Sequence, residues 1–290
     1  MICSDLIDEL NCGEIEKQKL LKKNCTVNKK LKYSSYYLEF NVKTQKDVED
    51  FGKPLGDYFL INKIKTSDFN ENKVNYYAKV LCGALINMLK KNITDTKVLV
   101  VGLGNDEIQC DSLGVRVCDK LSRVKERFEG FYVYETNVFG KTGIESYEIV
   151  EAIVKKKKID IVIVIDSLCA GAEERLNASI QLTNAGISPG SGVMNSRKII
   201  CKKNLNCEVF AIGVPLMIYS SSFIYSALKS QNIDYDELTE KQTKNNIYGR
   251  LIRVLQQNNS LIVAASNIRV IVEIYSDIIF KAILKFLLFT

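Results

Sequence analysis

The 290-residue sequence contains no histidine. Without imidazole, Ser-His-Asp and Cys-His catalysis are excluded, together with His-ligated zinc. Any acid–base chemistry falls to Asp, Glu, Lys, Tyr or Cys. The nine cysteines are irregularly spaced and form no CxxC pair. A disulfide scaffold and an all-cysteine zinc site therefore find no support, and the usage points to a reducing cytoplasm. An apolar run long enough to span a bilayer is missing as well. The first twenty-odd residues are charged throughout and lack the apolar core of a secretory signal. Residues 278–290 (IIFKAILKFLLFT) are greasier, but they are short and interrupted by Lys281 and Lys285. A docked C-terminal helix is expected there. The excess of one charge is small too: 40 Lys and Arg against 34 Asp and Glu leave +6, spread along the chain. This is a weak argument for nucleic acid, and neither nucleic acid nor membrane is expected as a direct partner.

The chain is 47% hydrophobic and 26% charged, ordinary for a globular protein with a real core. Residues 1–33 are polar and basic and read as a loosely held leader or a peripheral helix. Residues 34–290 read as a single domain. Strand-like pieces occur at 36–42 (YYLEFNV) and 58–64 (YFLINKI). Apolar residues at three- and four-residue steps predict a helix over 73–91. From residue 96 the texture changes. Residues 97–101 (KVLVV) and 159–165 (IDIVIVI) are continuous apolar runs typical of strands buried on both faces. Helical segments are expected at 113–128 and 144–154, with further strands at 130–134 and 208–213. Thr142 and Glu145 have capping-box spacing, and lysines 155–158 complement the negative end of the following helix. This alternation predicts an α/β fold with parallel neighbours.

In such sheets ligands bind beyond the carboxyl ends of the strands. Two acids stand there: Asp111, in the loop after the first buried run, and Asp166, directly after the second. If the strands are neighbours, the carboxyls converge on one cleft. The alternative is that each caps a helix. The Gly102-Leu103-Gly104-Asn105 turn hints at a dinucleotide site, but the third glycine of that fingerprint is Glu107, whose charge would repel pyrophosphate. A Walker A loop is absent. Residues 188–195 (SPGSGVMN) form either a surface turn or a backbone-rich loop lining a substrate groove. Ser191 has no histidine to activate it.

These segments resemble the germination protease family of endospore-forming bacteria. The resemblance is carried by KVLVVGLGN with Asp111-Ser112-Leu113-Gly114, by Lys141-Thr142-Gly143-Ile144-Glu145, by IVIVIDSLCAGAEERLNASIQLTNAGISPGSGVMNSR and by Ala211-Ile212-Gly213-Val214-Pro215. It implies an endopeptidase that degrades small acid-soluble spore proteins during germination, in the cytoplasm of the spore core. It implies a three-layer α/β/α sandwich with a mostly parallel central sheet, related to hydrogenase-maturation proteases. It further implies a zymogen whose N-terminal propeptide falls within 1–33, and a homotetramer. The family's catalytic aspartates match Asp111 and Asp166. Asn105, Gly190, Ser191 and Gly192 are the candidate substrate contacts. No cofactor and no metal are expected.

The sequence departs from the family pattern at Cys110 (usually Pro), Asn184 (usually Asp), Ser196 (usually basic) and Tyr33-Ser34-Ser35-Tyr36-Tyr37, where the family has Arg-Thr-Asp. Asp166, after an apolar strand, is expected to be the protonated acid, and Asp111, on a polar loop, the base. Rival readings are an inactive homologue acting as a scaffold, a nickel-reading peptidase of the hydrogenase-maturation type, and a nucleotide-binding domain.

Overall fold

The computed structural model describes residues 4–10, 14–89, 95–136, 144–189, 198–230 and 261–289. One mixed sheet organises them. Its strands are β1 (Cys25–Lys30), β2 (Tyr36–Val42), β3 (Gly56–Asn62), β4 (Val98–Gly102), β5 (Phe131–Glu135), β6 (Ile161–Ala170), β7 (Ile180–Thr183), β8 (Glu208–Tyr219) and the short β9 (Ile262–Val263). The order is β1-β2-β3-β7-β8-β6-β4-β5, with β9 on β8. Neighbours within β8-β6-β4-β5 run parallel, and those along β1-β2-β3-β7-β8 run antiparallel.

The parallel block forms because its strands suit burial on both faces. Residues 98–102 of β4 are all buried, as are the first five of β6. Their β-branched side chains pack on a pleated surface at little cost in rotamer freedom. Alternation then divides the core. Ile161, Ile163 and Ile165 join the cluster under α3 (Glu71–Leu89), α4 (Leu113–Ser122) and α8 (Ile268–Leu287). Val162 and Val164 face the other way, onto Tyr147, Val150 and Val154 of α5 (Ser146–Lys157). The result is a helix–sheet–helix sandwich in three layers. The C-terminal apolar stretch is the core helix α8, with Ile278, Ile279, Ala282, Ile283 and Phe286 fully buried. Among the described residues no helix is long and apolar enough to cross a membrane.

Several boundaries differ from expectation for identifiable reasons. The strand carrying Asp166 does not stop before it; β6 runs on to Ala170, so Asp166 lies inside the strand. Strand β8 continues past Pro215 to Tyr219. Proline removes a ladder donor, and the register against β6 shifts there, between Leu168 and Cys169. Helix α5 starts at Ser146, with Glu145 as its cap residue and no side-chain bond to the helix. Thr142 of the expected capping box lies outside the described residues. The lysines do close α5, ending with Lys158 at φ 55°.

Residues 14–30 contain the helix that was the alternative to a loosely held leader, followed by an edge strand. Helix α1 (Glu14–Asn24) leads into β1, which pairs with β2 as an edge strand. Residues 4–10 are pinned by their own apolar side chains. Leu6 and Ile7 are fully buried and Leu10 nearly so, among Phe40, Phe51, Tyr58, Leu60, Leu168 and Ala185. Each such burial stabilises docking by roughly 1.5–3 kcal/mol.

Candidate active site

Strands β4 and β6 are adjacent and parallel, with Gly102 opposite Ile165. Asp166 is therefore the first β6 residue beyond the end of the β4 ladder. Asp111 reaches the same end of the sheet through the loop after β4, closing a 3-10 turn at Gln109–Asp111. The loop doubles back because Leu103 N–H donates to Ile165 O (2.8 Å) and Asn105 N–H to Asp111 O (3.0 Å). Two glycines permit this closeness. Gly104 has φ 115°, and a Cβ there would come within 1.9 Å of Asp111 O. A Cβ on Gly114, at the start of α4, would lie 2.3 Å from Leu103 O and 2.6 Å from Ile165 O. Helix α4 thus sits directly against the ends of both strands.

The electrostatics separate the two acids. Burial pushes the Asp111 carboxyl up to about 6, against a backbone hydrogen bond from Asn105 that pulls it down. Asp166 is raised well above the ordinary carboxylate range. Burial is the larger cause, followed by the charges of Asp111 and then Asp5. Ser167 N–H donates to Asp166 Oδ1 at 2.9 Å, too little to reverse the effect. At neutral pH the arrangement favours one ionised and one protonated carboxyl, the partition that like charges in a desolvated cleft impose.

Asn105 shapes the Asp111 loop: its Oδ1 accepts from Glu107 N–H at 3.0 Å and its carbonyl accepts from Ile108 N–H. Gly190, Ser191 and Gly192 lie outside the described residues, as does Ser196. Two of the departures are accounted for locally. Cys110 is buried, and burial raises its thiol pKa. Asn184 holds β3 to the chain after β7: its Oδ1 accepts from Asp57 N–H (2.7 Å) and its Nδ2 donates to Asp57 Oδ2 (3.3 Å).

The germination protease family model matches residues 13–235, which include both aspartates and all the strands of the parallel block. The chain belongs to the germination protease family. It is 35% identical to the germination protease of Caldanaerobacter subterraneus subsp. tengcongensis, over 73% of this chain and 68% of that one. It is 30% identical to that of Clostridium tetani, over 76% of this chain and 70% of the relative. Among solved structures, it resembles the NiFe hydrogenase maturation protease HycI from Thermococcus kodakarensis at 18% identity. That likeness covers 44% of this chain and 80% of that one, with a TM-score of 0.33. A similarity this slight carries no argument, and the fold is read from the chain's own sheet.

Residues 4–10 precede the matched region and were missed as part of the site. Asp5 pairs with the end of β6, and its charge acts on Asp166. Glu9 Oε2 accepts from Gly171 N–H at 2.7 Å, just past the same strand. Both carboxyls are themselves raised, chiefly by burial. The available signal was the aliphatic set Leu6, Ile7 and Leu10 embedded among acids.

Proposed function

We propose that this protein is an endopeptidase of spore germination that cuts small acid-soluble spore proteins with the pair Asp111 and Asp166. The observation that carries the reading is the meeting of two acids with unequal proton affinities at the ends of adjacent parallel strands, in a member of this protease family.

In this mechanism ionised Asp111 takes a proton from a water molecule. The water oxygen attacks the scissile carbonyl carbon, and protonated Asp166 donates to the carbonyl oxygen. In the collapse of the tetrahedral intermediate, the proton gained by Asp111 passes to the leaving amine, the C–N bond breaks, and the carboxyl product returns a proton to Asp166. Each step uses a carboxyl whose proton affinity is set by its surroundings. Asn105 supports Asp111 through its backbone. Gly190, Ser191 and Gly192 are proposed as substrate contacts, and the working form as a homotetramer in the spore core.

The segment 4–10 favours a latent state of this enzyme. It lies along the strand end that carries Asp166 and fills the adjoining apolar groove, as a propeptide within residues 1–33 would. Incubating the purified protein with a small acid-soluble spore protein, and resolving fragments by mass spectrometry, tests the activity. Absence of cleavage after removal of the segment contradicts it.

A further inference from the structure

The groove that holds residues 4–10 has polar features that an apolar plug alone does not require. Gln181 is buried on β7, and its carboxamide grips the main chain of the segment twice. Its Oε1 accepts from Ile7 N–H at 2.8 Å, and its Nε2 donates to Asp5 O at 3.1 Å. One planar amide thus bonds both polar groups of a passing peptide, as a neighbouring strand would. The end of β6 supplies a second rail, where Asp5 N–H donates to Cys169 O at 3.0 Å. Such main-chain bonds are blind to sequence.

Three residues further on, the groove reads a side chain. Asp8 Oδ1 accepts from Arg175 Nη2 at 2.9 Å, and Asp8 Oδ2 accepts from Asn62 Nδ2 at 3.2 Å. Both ionic partners are largely buried, at 14% and 12% side-chain exposure. Buried guanidinium–carboxylate pairs discriminate, because loss of either partner strands the other charge. Arg175 Nε is also buried without a partner among the described residues. The guanidinium therefore retains a donor that Asp8 does not use.

We propose that Gln181, Arg175 and Asn62 are the specificity-determining positioning residues of this enzyme: Gln181 clamps the substrate main chain beside Asp166, and Arg175 with Asn62 selects an acidic side chain three residues towards the substrate's carboxyl end. The resident segment is then a stand-in for substrate in its own groove. This inference rests on the peptidase reading above, so the test has one arm that needs no turnover.

The first arm uses the full chain carrying Leu6→Ala and Ile7→Ala, which loosens the resident segment. A fluorescent heptapeptide of sequence SDLIDEL is titrated by anisotropy, beside a copy with Asn at its fifth position. The acidic peptide is expected to bind at least about tenfold more tightly than the Asn copy. Arg175→Met abolishes that difference, Arg175→Lys restores part of it, and Gln181→Met weakens both peptides equally. Equal binding of the two peptides by the Arg175-containing protein overturns the proposal, whether or not the protein cleaves anything. The second arm measures cleavage of a small acid-soluble spore protein by the same variants. A raised KM with kcat preserved supports the track. An unchanged KM in both Arg175→Met and Gln181→Met overturns it as a substrate track. No turnover by any protein contradicts the peptidase reading instead, and the binding arm then decides the groove's selectivity.

Discussion

Asp5 and Cys169 are bonded in both directions: Asp5 N–H donates to Cys169 O at 3.0 Å, and Cys169 N–H donates to Asp5 Oδ2 at 2.8 Å. A residue far ahead of the sheet in sequence thereby becomes an extra partner for the strand that carries Asp166. The bonds lie along β6 beyond the end of the β4 ladder, while β8 continues beside β6 to Ala170. They also bring a third carboxyl near Asp166, raising the electrostatic cost of ionising it.

Burial of its carboxyls makes docking of the segment pH-dependent. Asp5 and Glu9 both have folded-state values raised by burial. A raised carboxyl stabilises the docked form below its ordinary pKa, and that stabilisation is lost as pH rises through the folded value. Amide exchange at Ile7, whose N–H is held by Gln181, is expected to be most protected near pH 4 after correction for intrinsic rates. Protection should fall as pH rises through the raised values of Asp5 and Glu9. Asp5→Asn flattens the dependence, because the amide has no proton to lose. A protection that grows with pH contradicts the assignment.

Loosening the segment is expected to release activity. Leu6→Ala with Ile7→Ala removes two fully buried side chains, each worth about 2–5 kcal/mol in a packed site. Limited proteolysis then cuts ahead of α1 while far-UV circular dichroism of the sheet is unchanged. Turnover of a spore-protein substrate rises by about tenfold or more, since even one of these losses shifts a docking equilibrium that far. Turnover that stays flat while the segment is demonstrably released rules out a latent role for it.

Gly114 tests the frame beneath the acids. Its hydrogen is all that separates α4 from Leu103 O and Ile165 O. Gly114→Ala therefore forces backbone apart where no flexible side chain yields, and costs about 2–3 kcal/mol in denaturant unfolding. The displacement is felt at Asp111, three residues earlier. A stability within about 0.5 kcal/mol of wild type shows that the close approach is not maintained in solution.

The parallel half of the fold was legible because its signal is local. Runs such as KVLVV and IDIVIVI admit few environments other than a strand buried on both faces. The acids at their ends follow from the same reading. Asp166 itself misled, since an acid looks like a terminator, yet SLCA continues buried beyond it. The antiparallel wing was harder. β7 is four residues long, and β1 is an edge strand with lysines and little burial. Its existence depends on pairing with β2, the next strand along the chain, rather than on its own propensity. Residues 4–10 were illegible for a different reason. Their aliphatic side chains have no periodic neighbours, and their destination is a groove made by β2, β3, β6 and β7 together.

The rate profile follows from the unequal proton affinities. Cleavage should rise with pH as Asp111 ionises, with a midpoint near the value of about 6 set by its burial. It should fall on the alkaline side as Asp166 loses its proton. On the segment-released background, a rate that does not fall below about pH 6 contradicts the role of Asp111 as the base.

Cleavage of a small acid-soluble spore protein by wild type, Asp111→Asn and Asp166→Asn, on a background with the segment released, tests the shared proton most directly. Each substitution is nearly isosteric, so the fold persists while one carboxyl is lost. Both variants are expected to lose about a thousandfold or more in turnover, and the double variant little beyond either single one. Near-wild-type cleavage by Asp166→Asn would contradict the account.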